Sequence, residues 1–188
     1  GLSSDFIILF CITNPNLGSK GVSAFILEKE LEGLSVGKKE DKLGIRASDT
    51  TELYLNSKIP SKNLLGKEGD GFKIAMSALG GGRIGIASQA VGIARASLES
   101  AINYSSERKQ FGKKINSYGA IQAKLADMAT GIDAARLLVW KAASLKDSNK
   151  NFIKESSMAK LFASDIAMKA STECVQIHGG YGYMKEYG

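Results

Sequence analysis

The sequence predicts an α+β fold in which a partial antiparallel β region is followed by an up-down helical bundle. Two observations predict it. The apolar period changes from about two residues to about 3.6 at Phe72, and three long helix-patterned stretches then run to the last glycines. A third bounds the size: 188 residues with 44% apolar side chains make one ordinary domain or two small ones, with a real core.

Asp5 to Thr13, rich in Ile, Leu and Phe, reads as a buried strand, ended by the turn composition Asn14-Pro15-Asn16-Leu17-Gly18. Val22 to Glu28 is a second strand. Leu34 to Lys38 and Thr51 to Leu55 follow, the last alternating Leu53 and Leu55 with Glu52 and Tyr54. The mixed-sign run Lys38 to Lys42 is a solvated connection between them. Four strands without neighbours make a thin sheet, so partner strands are expected upstream of Gly1. No initiator Met or leader precedes the first strand, and the last residues follow directly on a Gly-rich patch. A chain truncated at both ends is therefore expected.

Pro60 to Gly71, with one of the two prolines, marks the boundary. Residues 1–60 are then the C-terminal part of a β domain, 61–71 a linker, and 72–188 a helical bundle lacking its last helix. The first helix carries Ile74, Ala78, Leu79, Ala87, Ala90, Val91, Ala94, Leu98, Ala101 and Ile102 to about Tyr104. Gly80, Gly81 and Gly82 must break, bend or closely pack it, since each weakens a helix by about 1 kcal/mol relative to alanine. A loop between two helices and a backbone approached by a ligand, with Arg83 beside it, both fit. The second helix runs from Ser117 or Tyr118 to about Lys146, with Ile121, Leu125, Met128, Ile132, Ala135, Val139 and Ala142 on one face. The third carries Met158, Phe162, Ile166, Ala170, Cys174 and Ile177 until Gly179 and Gly180 stop it. Short turns between long helices imply antiparallel neighbours.

A net charge of +6 and a pI near 9.2 favour anionic partners. Interleaved acidic residues and the lack of a groove-reading motif argue against nucleic acid. The longest apolar run, Phe6 to Ile12, is too short for a membrane span. Cys11, Cys174 and the single His178 offer no zinc spacing, and both thiols are expected buried and reduced. The run Glu107 to Gly112 interrupts two helices with different chemistry. Arg108 can grip a phosphate bidentately, Gln110 can donate and accept, and the ring of Phe111 can lie against a heterocycle. Taken alone, Arg108, Lys109, Lys113 and Lys114 also fit a solvated basic connection.

Several segments share order and separation with one family: Gly33-Leu34-Ser35-Val36-Gly37-Lys38-Lys39-Glu40-Asp41-Lys42-Leu43-Gly44-Ile45-Arg46, Gly71-Phe72-Lys73-Ile74-Ala75-Met76, Gly82-Arg83-Ile84-Gly85-Ile86-Ala87, Glu107-Arg108-Lys109-Gln110-Phe111-Gly112, Leu125-Ala126-Asp127-Met128-Ala129 and Gln176-Ile177-His178-Gly179-Gly180-Tyr181-Gly182-Tyr183. Across essentially its whole length the chain resembles the acyl-CoA dehydrogenases, most closely the short-chain or butyryl type. The resemblance implies a homotetrameric FAD enzyme of fatty-acid β-oxidation that oxidises an acyl-CoA to the trans-2-enoyl-CoA and passes electrons to electron-transferring flavoprotein. It is expected in the cytoplasm of a bacterium or the mitochondrial matrix of a eukaryote. Arg108 matches the arginine that reaches the FAD pyrophosphate of a neighbouring subunit. Gln110, Phe111, Gln176, Gly179 and Gly180 match further FAD contacts, and Arg83 matches an arginine near the acyl-CoA. His178 matches no acid or base, and is expected to be an ordinary side chain.

Departures from the pattern matter as well. The catalytic glutamate expected from the resemblance lies beyond Gly188, and the alternative position, Gly82, has no side chain. Gly80 stands where many members have an aspartate, and Gly119 where many have a glutamine. The chain alone is thus expected to be inactive, and a non-catalytic relative serving as a binding or scaffold protein is the alternative reading.

Overall fold

The computed structural model describes residues 1–187, which divide into two compact units, Gly1–Ser77 and Ala78–Gly188. In the first unit β1 (Phe6–Ile12) pairs antiparallel with β2 (Val22–Glu28), Phe6 opposite Glu28 and Ile12 opposite Val22. A 3-10 segment, Pro15–Gly21, joins them, with the Asn14 side chain accepting the Asn16 N–H at 3.1 Å. Gly21 is required there, because a Cβ would lie 1.8 Å from the Asn14 carbonyl oxygen. β3 (Leu34–Lys39) pairs antiparallel with β4 (Thr51–Leu55), the register shifting between Val36 and Lys39.

The four strands form two separate two-stranded sheets and not one thin sheet. The reason lies on the free edge of β2, where Phe25 bridges to Leu64 and the Ala24 carbonyl accepts the Leu65 N–H at 2.8 Å. That edge is filled by the chain approaching the first helix. The first strand also differs from the expected buried one. Phe6, Ile8, Phe10 and Ile12 share an exposed face, while β2 contributes the buried Ser23, Ala24 and Leu27.

Helix α1 (Gly71–Glu107) begins in the first unit and continues unbroken through the three glycines. Close packing accounts for Gly80, where a Cβ would lie 2.9 Å from Ile153 Cδ1, whereas Gly82 faces open space. The remaining helices are α2 (Gly119–Asp147) and α3 (Ile153–His178). Their directions alternate. Gly80 and Gly81 meet the start of α3 at Ile153 and the end of α2 at Lys146, whereas Tyr104 near the other end of α1 stacks on His178.

The bundle core is made mainly of alanine. Ala87, Ala90, Ala94 and Ala101 of α1 meet Met128, Ile132, Ala135, Val139 and Ala142 of α2 and Ala159, Ala163, Ala167, Ala170 and Ile177 of α3. Methyl-sized side chains let helix axes approach, and α2 and α3 form the tightest pair, with Gly131 against Ile166. Ion pairs Lys124–Glu173 and Lys169–Asp127 span the same two helices. The expected α3 stripe holds over its second part, where Ala170 and Ile177 are buried and Ile166 and Cys174 pack against the core. At its start Met158 and Phe162 are exposed, and Ala159 and Ala163 face the core instead.

Candidate functional site

Where α1 ends, the chain makes a minimal hairpin before α2. β5 (Lys109–Gln110) pairs with β6 (Lys113–Lys114) around Phe111 (φ 52°) and Gly112 (φ 83°). Two successive left-handed residues give the turn whose twist matches that of the flanking strands. Glycine adopts this freely. Phenylalanine does not, and Phe111 is held there with 92% of its surface exposed. The Tyr118 hydroxyl donates to the Gln110 backbone carbonyl at 2.8 Å, and the Lys113 ammonium sits 4.2 Å from the Tyr118 ring centroid.

The inner side of the hairpin, the start of α2 and the end of α3 line an open cavity of about 720 Å³. Arg108, Gln110, Phe111, Gly179 and Gly180 line it, together with Tyr104, Tyr118, His178, Tyr181 and Met184. Arg108 is the one charged residue of that lining. Its guanidinium lies 5.3 Å from the Tyr181 ring centroid, and among the described residues no carboxylate pairs with it. The cavity is thus an aromatic pocket with a single, partly buried cation, arranged for a flat anionic ligand.

The two glycines complete it differently. Gly179 adopts φ 60°, ψ −130° as it caps α3, a conformation that side-chain-bearing residues avoid. Over Gly180 the chain leaves open space, with nothing within 4 Å of where a Cβ would stand. A ligand can therefore approach the backbone closely at that point.

His178 is an ordinary structural side chain by its contacts. It is buried, its ring stacks on Tyr104 with centroids 4.3 Å apart, and its Nδ1–H donates to the Cys174 carbonyl at 2.8 Å. The Cys174 sulfur lies 3.8 Å from the same nitrogen. Burial pushes the thiol above its ordinary value, with only partial relief from a hydrogen bond to Ser100, whereas a nucleophile needs the opposite shift. Burial also pushes the Tyr104 phenol up, against the pull of the Arg108 charge. Neither cysteine is fully buried as expected; both are half-buried and free.

Two of the residues singled out from sequence stand elsewhere. Gln176 is exposed on the last turn of α3, outside the cavity lining, and contributes its carbonyl to the cap at Gly179. Arg83 is half-buried on α1, roughly 35 Å along the helix from the hairpin at 1.5 Å per residue. Sequence reasoning passed over Tyr104 and Tyr118. The signal for Tyr118 was an aromatic placed at the exact joint between basic turn and helix. Among the described residues no cluster of His, Cys, Asp and Glu suits a metal ion, and no helix is long and apolar enough to cross a membrane.

Comparison with known proteins places these features in context. Residues 69–188 match the family model described as acyl-CoA dehydrogenase, C-terminal domain. An acyl-CoA dehydrogenase of Bacillus subtilis is 56% identical over 188 residues, all of this chain and 50% of the relative. The structure of butyryl-CoA dehydrogenase from Megasphaera elsdenii aligns with TM-score 0.97 at 51% identity, over 100% of this chain and 49% of the other. A chain from a structure of the electron-transferring flavoprotein of Acidaminococcus fermentans aligns with TM-score 0.97 at 52% identity, over 100% and 50%. The chain spans about half the length of the relatives it matches.

Proposed function

Because this chain belongs to the acyl-CoA dehydrogenase family, we propose that the full-length protein oxidises the Cα–Cβ bond of a short or medium acyl-CoA to the trans-2-enoyl-CoA, with FAD as its cofactor. One observation carries the reading: a lone guanidinium, an amide, aromatic rings and two open glycines surround one cavity that holds no carboxylate. Those groups fit the pyrophosphate and ring system of a flavin dinucleotide. Bound FAD supplies hydride acceptance, which no side chain offers.

In this proposal Arg108 binds the pyrophosphate of an FAD belonging to the adjacent subunit. Gln110 hydrogen-bonds to it, Phe111 lies against it, and Gly179 and Gly180 let the backbone approach. Gln176 joins them on a rotation of its exposed side chain. Arg83, far along α1, serves the acyl-CoA. The base that takes the α-proton is a glutamate outside this chain, since Gly82 has nothing to accept a proton. Residues 1–60 belong to the middle β domain and 72–188 to the C-terminal helical domain. Electron-transferring flavoprotein is the proposed acceptor, and a homotetramer the proposed assembly, which the exposed Leu137, Trp140, Leu161 and Met168 support. The compartment is the bacterial cytoplasm or the mitochondrial matrix.

The full-length protein should purify yellow and bleach when given butyryl-CoA, while the 188-residue chain should show no turnover with butyryl-CoA and a dye acceptor. A colourless full-length protein that flavin cannot restore would overturn the assignment. A yellow protein inert to every acyl-CoA would favour the non-catalytic binding role.

A further inference from the structure

Two-residue hairpins with both central residues left-handed are normally built from Asn, Asp or Gly. Here the first central residue is Phe111, a bulky side chain that the local sequence does not hold at φ 52°. Something outside the turn must hold the tip in place. The only side-chain hydrogen bond the described residues offer to the tip comes from Tyr118, whose hydroxyl donates to the Gln110 carbonyl at 2.8 Å and lies 3.5 Å from the Phe111 carbonyl. Lys113, directly opposite Gln110, lays its ammonium on the same ring. Tyr118 thus engages both residues that flank the turn.

Its own position is fixed by backbone bonds. The Tyr118 N–H donates to the Ile115 carbonyl at 3.1 Å, and its carbonyl accepts the N–H groups of Ile121 and Gln122 at 3.0 Å each. The ring itself borders the cavity, with the Lys113 ammonium 4.2 Å from its centroid. Alternation along β5 and β6 shows what this achieves: Arg108, Gln110 and Ile115 face the cavity, while Lys109 and Lys114 share the other face.

We propose that Tyr118 is a positioning residue, a latch that ties the hairpin tip to the first turn of α2 and so presents Gln110 and Phe111 to the cavity in one fixed geometry. Its functional consequence rests on the flavin reading above; its structural action does not. A tip that fluctuates would have to be ordered whenever ligand binds, and affinity would fall accordingly.

The test uses the full-length protein and Tyr118→Phe, which keeps the ring and removes the hydroxyl. Amide hydrogen exchange of the segment 107–118, measured without flavin, should quicken roughly 3- to 10-fold, the worth of one net hydrogen bond. FAD affinity should weaken by a similar factor. Adding Phe111→Asn, a residue at ease at positive φ, should restore slow exchange to the Tyr118→Phe protein. Unchanged exchange overturns the latch, as does exchange that quickens equally along all three helices, or faster hairpin exchange with unaltered FAD affinity. A wild-type protein that never binds FAD defeats the cofactor reading alone, and the exchange comparison still decides the latch.

Discussion

Arg108 and Cys174 show how far single side chains determine behaviour at this end of the bundle. Arg108→Ala should lower FAD affinity of the full-length protein roughly 10- to 100-fold, the worth of hydrogen bonds to a charged group, as read by flavin fluorescence titration. Arg108→Lys should recover only part of that, because an ammonium cannot reproduce a planar two-pronged contact. Cys174 bears on pH. Its folded-state pKa lies above the ordinary thiol value, chiefly through burial. The stability it contributes is therefore complete below the unfolded thiol's pKa and is lost as pH rises through the folded value. Cys174→Ala should flatten the loss of thermal stability as pH rises above the unfolded thiol's pKa of about 8.5, and native Cys174 should alkylate more slowly than the unfolded chain, checked by mass spectrometry. At this scale the sequence was legible where chemistry was concentrated in a short run. Arg108, Gln110 and Phe111 stand together on the cavity because two strand residues and a tight turn leave them no other place. Tyr118 escaped notice because its role depends on a phenol reaching back eight residues to a carbonyl, which no periodicity reports.

Elements show the same division between pattern and close contact. The helix-patterned stretches appear as α1, α2 and α3 within a few residues of their expected ends, because amphipathic period, terminal glycines and polar breaks act locally. The three-glycine run was ambiguous on the page of letters. It resolved into unbroken helix in which Gly80 lies against Ile153, a contact 73 positions away in sequence. The contrast is testable. Gly92 has open space where a Cβ would stand, so Gly92→Ala should stabilise the chain by up to about 1 kcal/mol in urea denaturation. Gly80→Ala should gain less or destabilise, since Ile153 must move. The hairpin carries its own liability: Lys109 stands directly opposite Lys114, and like charges in that relation repel. Lys114→Glu should slow hydrogen exchange of the hairpin at low salt, and the effect should shrink as salt is raised.

The molecule as a whole depends on how closely its helices approach. Enlarging the tight α2–α3 contact by Ala163→Leu should destabilise the bundle by about 1–3 kcal/mol, as overpacking does, with the loss visible in the urea midpoint. At the surface, Trp140 is 62% exposed and Leu161 65%. In the proposed tetramer these residues are covered, and Trp140→Glu should shift full-length protein toward smaller species in sedimentation velocity. The division into β and helical parts was plain from the change of period, whereas the split of four strands into two sheets was not. Which edge a strand offers is decided by a distant segment, here Leu64 and Leu65, rather than by the strand's own letters. The alanine-rich centre has one more effect. A methyl group has no rotamer to freeze, so at the alanine positions drawing these helices together gives up backbone freedom and little else. Re-sorting inside the bundle is confined to the few larger side chains, Met128, Ile132, Val139 and Ile177, so whatever docks at the hairpin end meets a frame with few ways to yield.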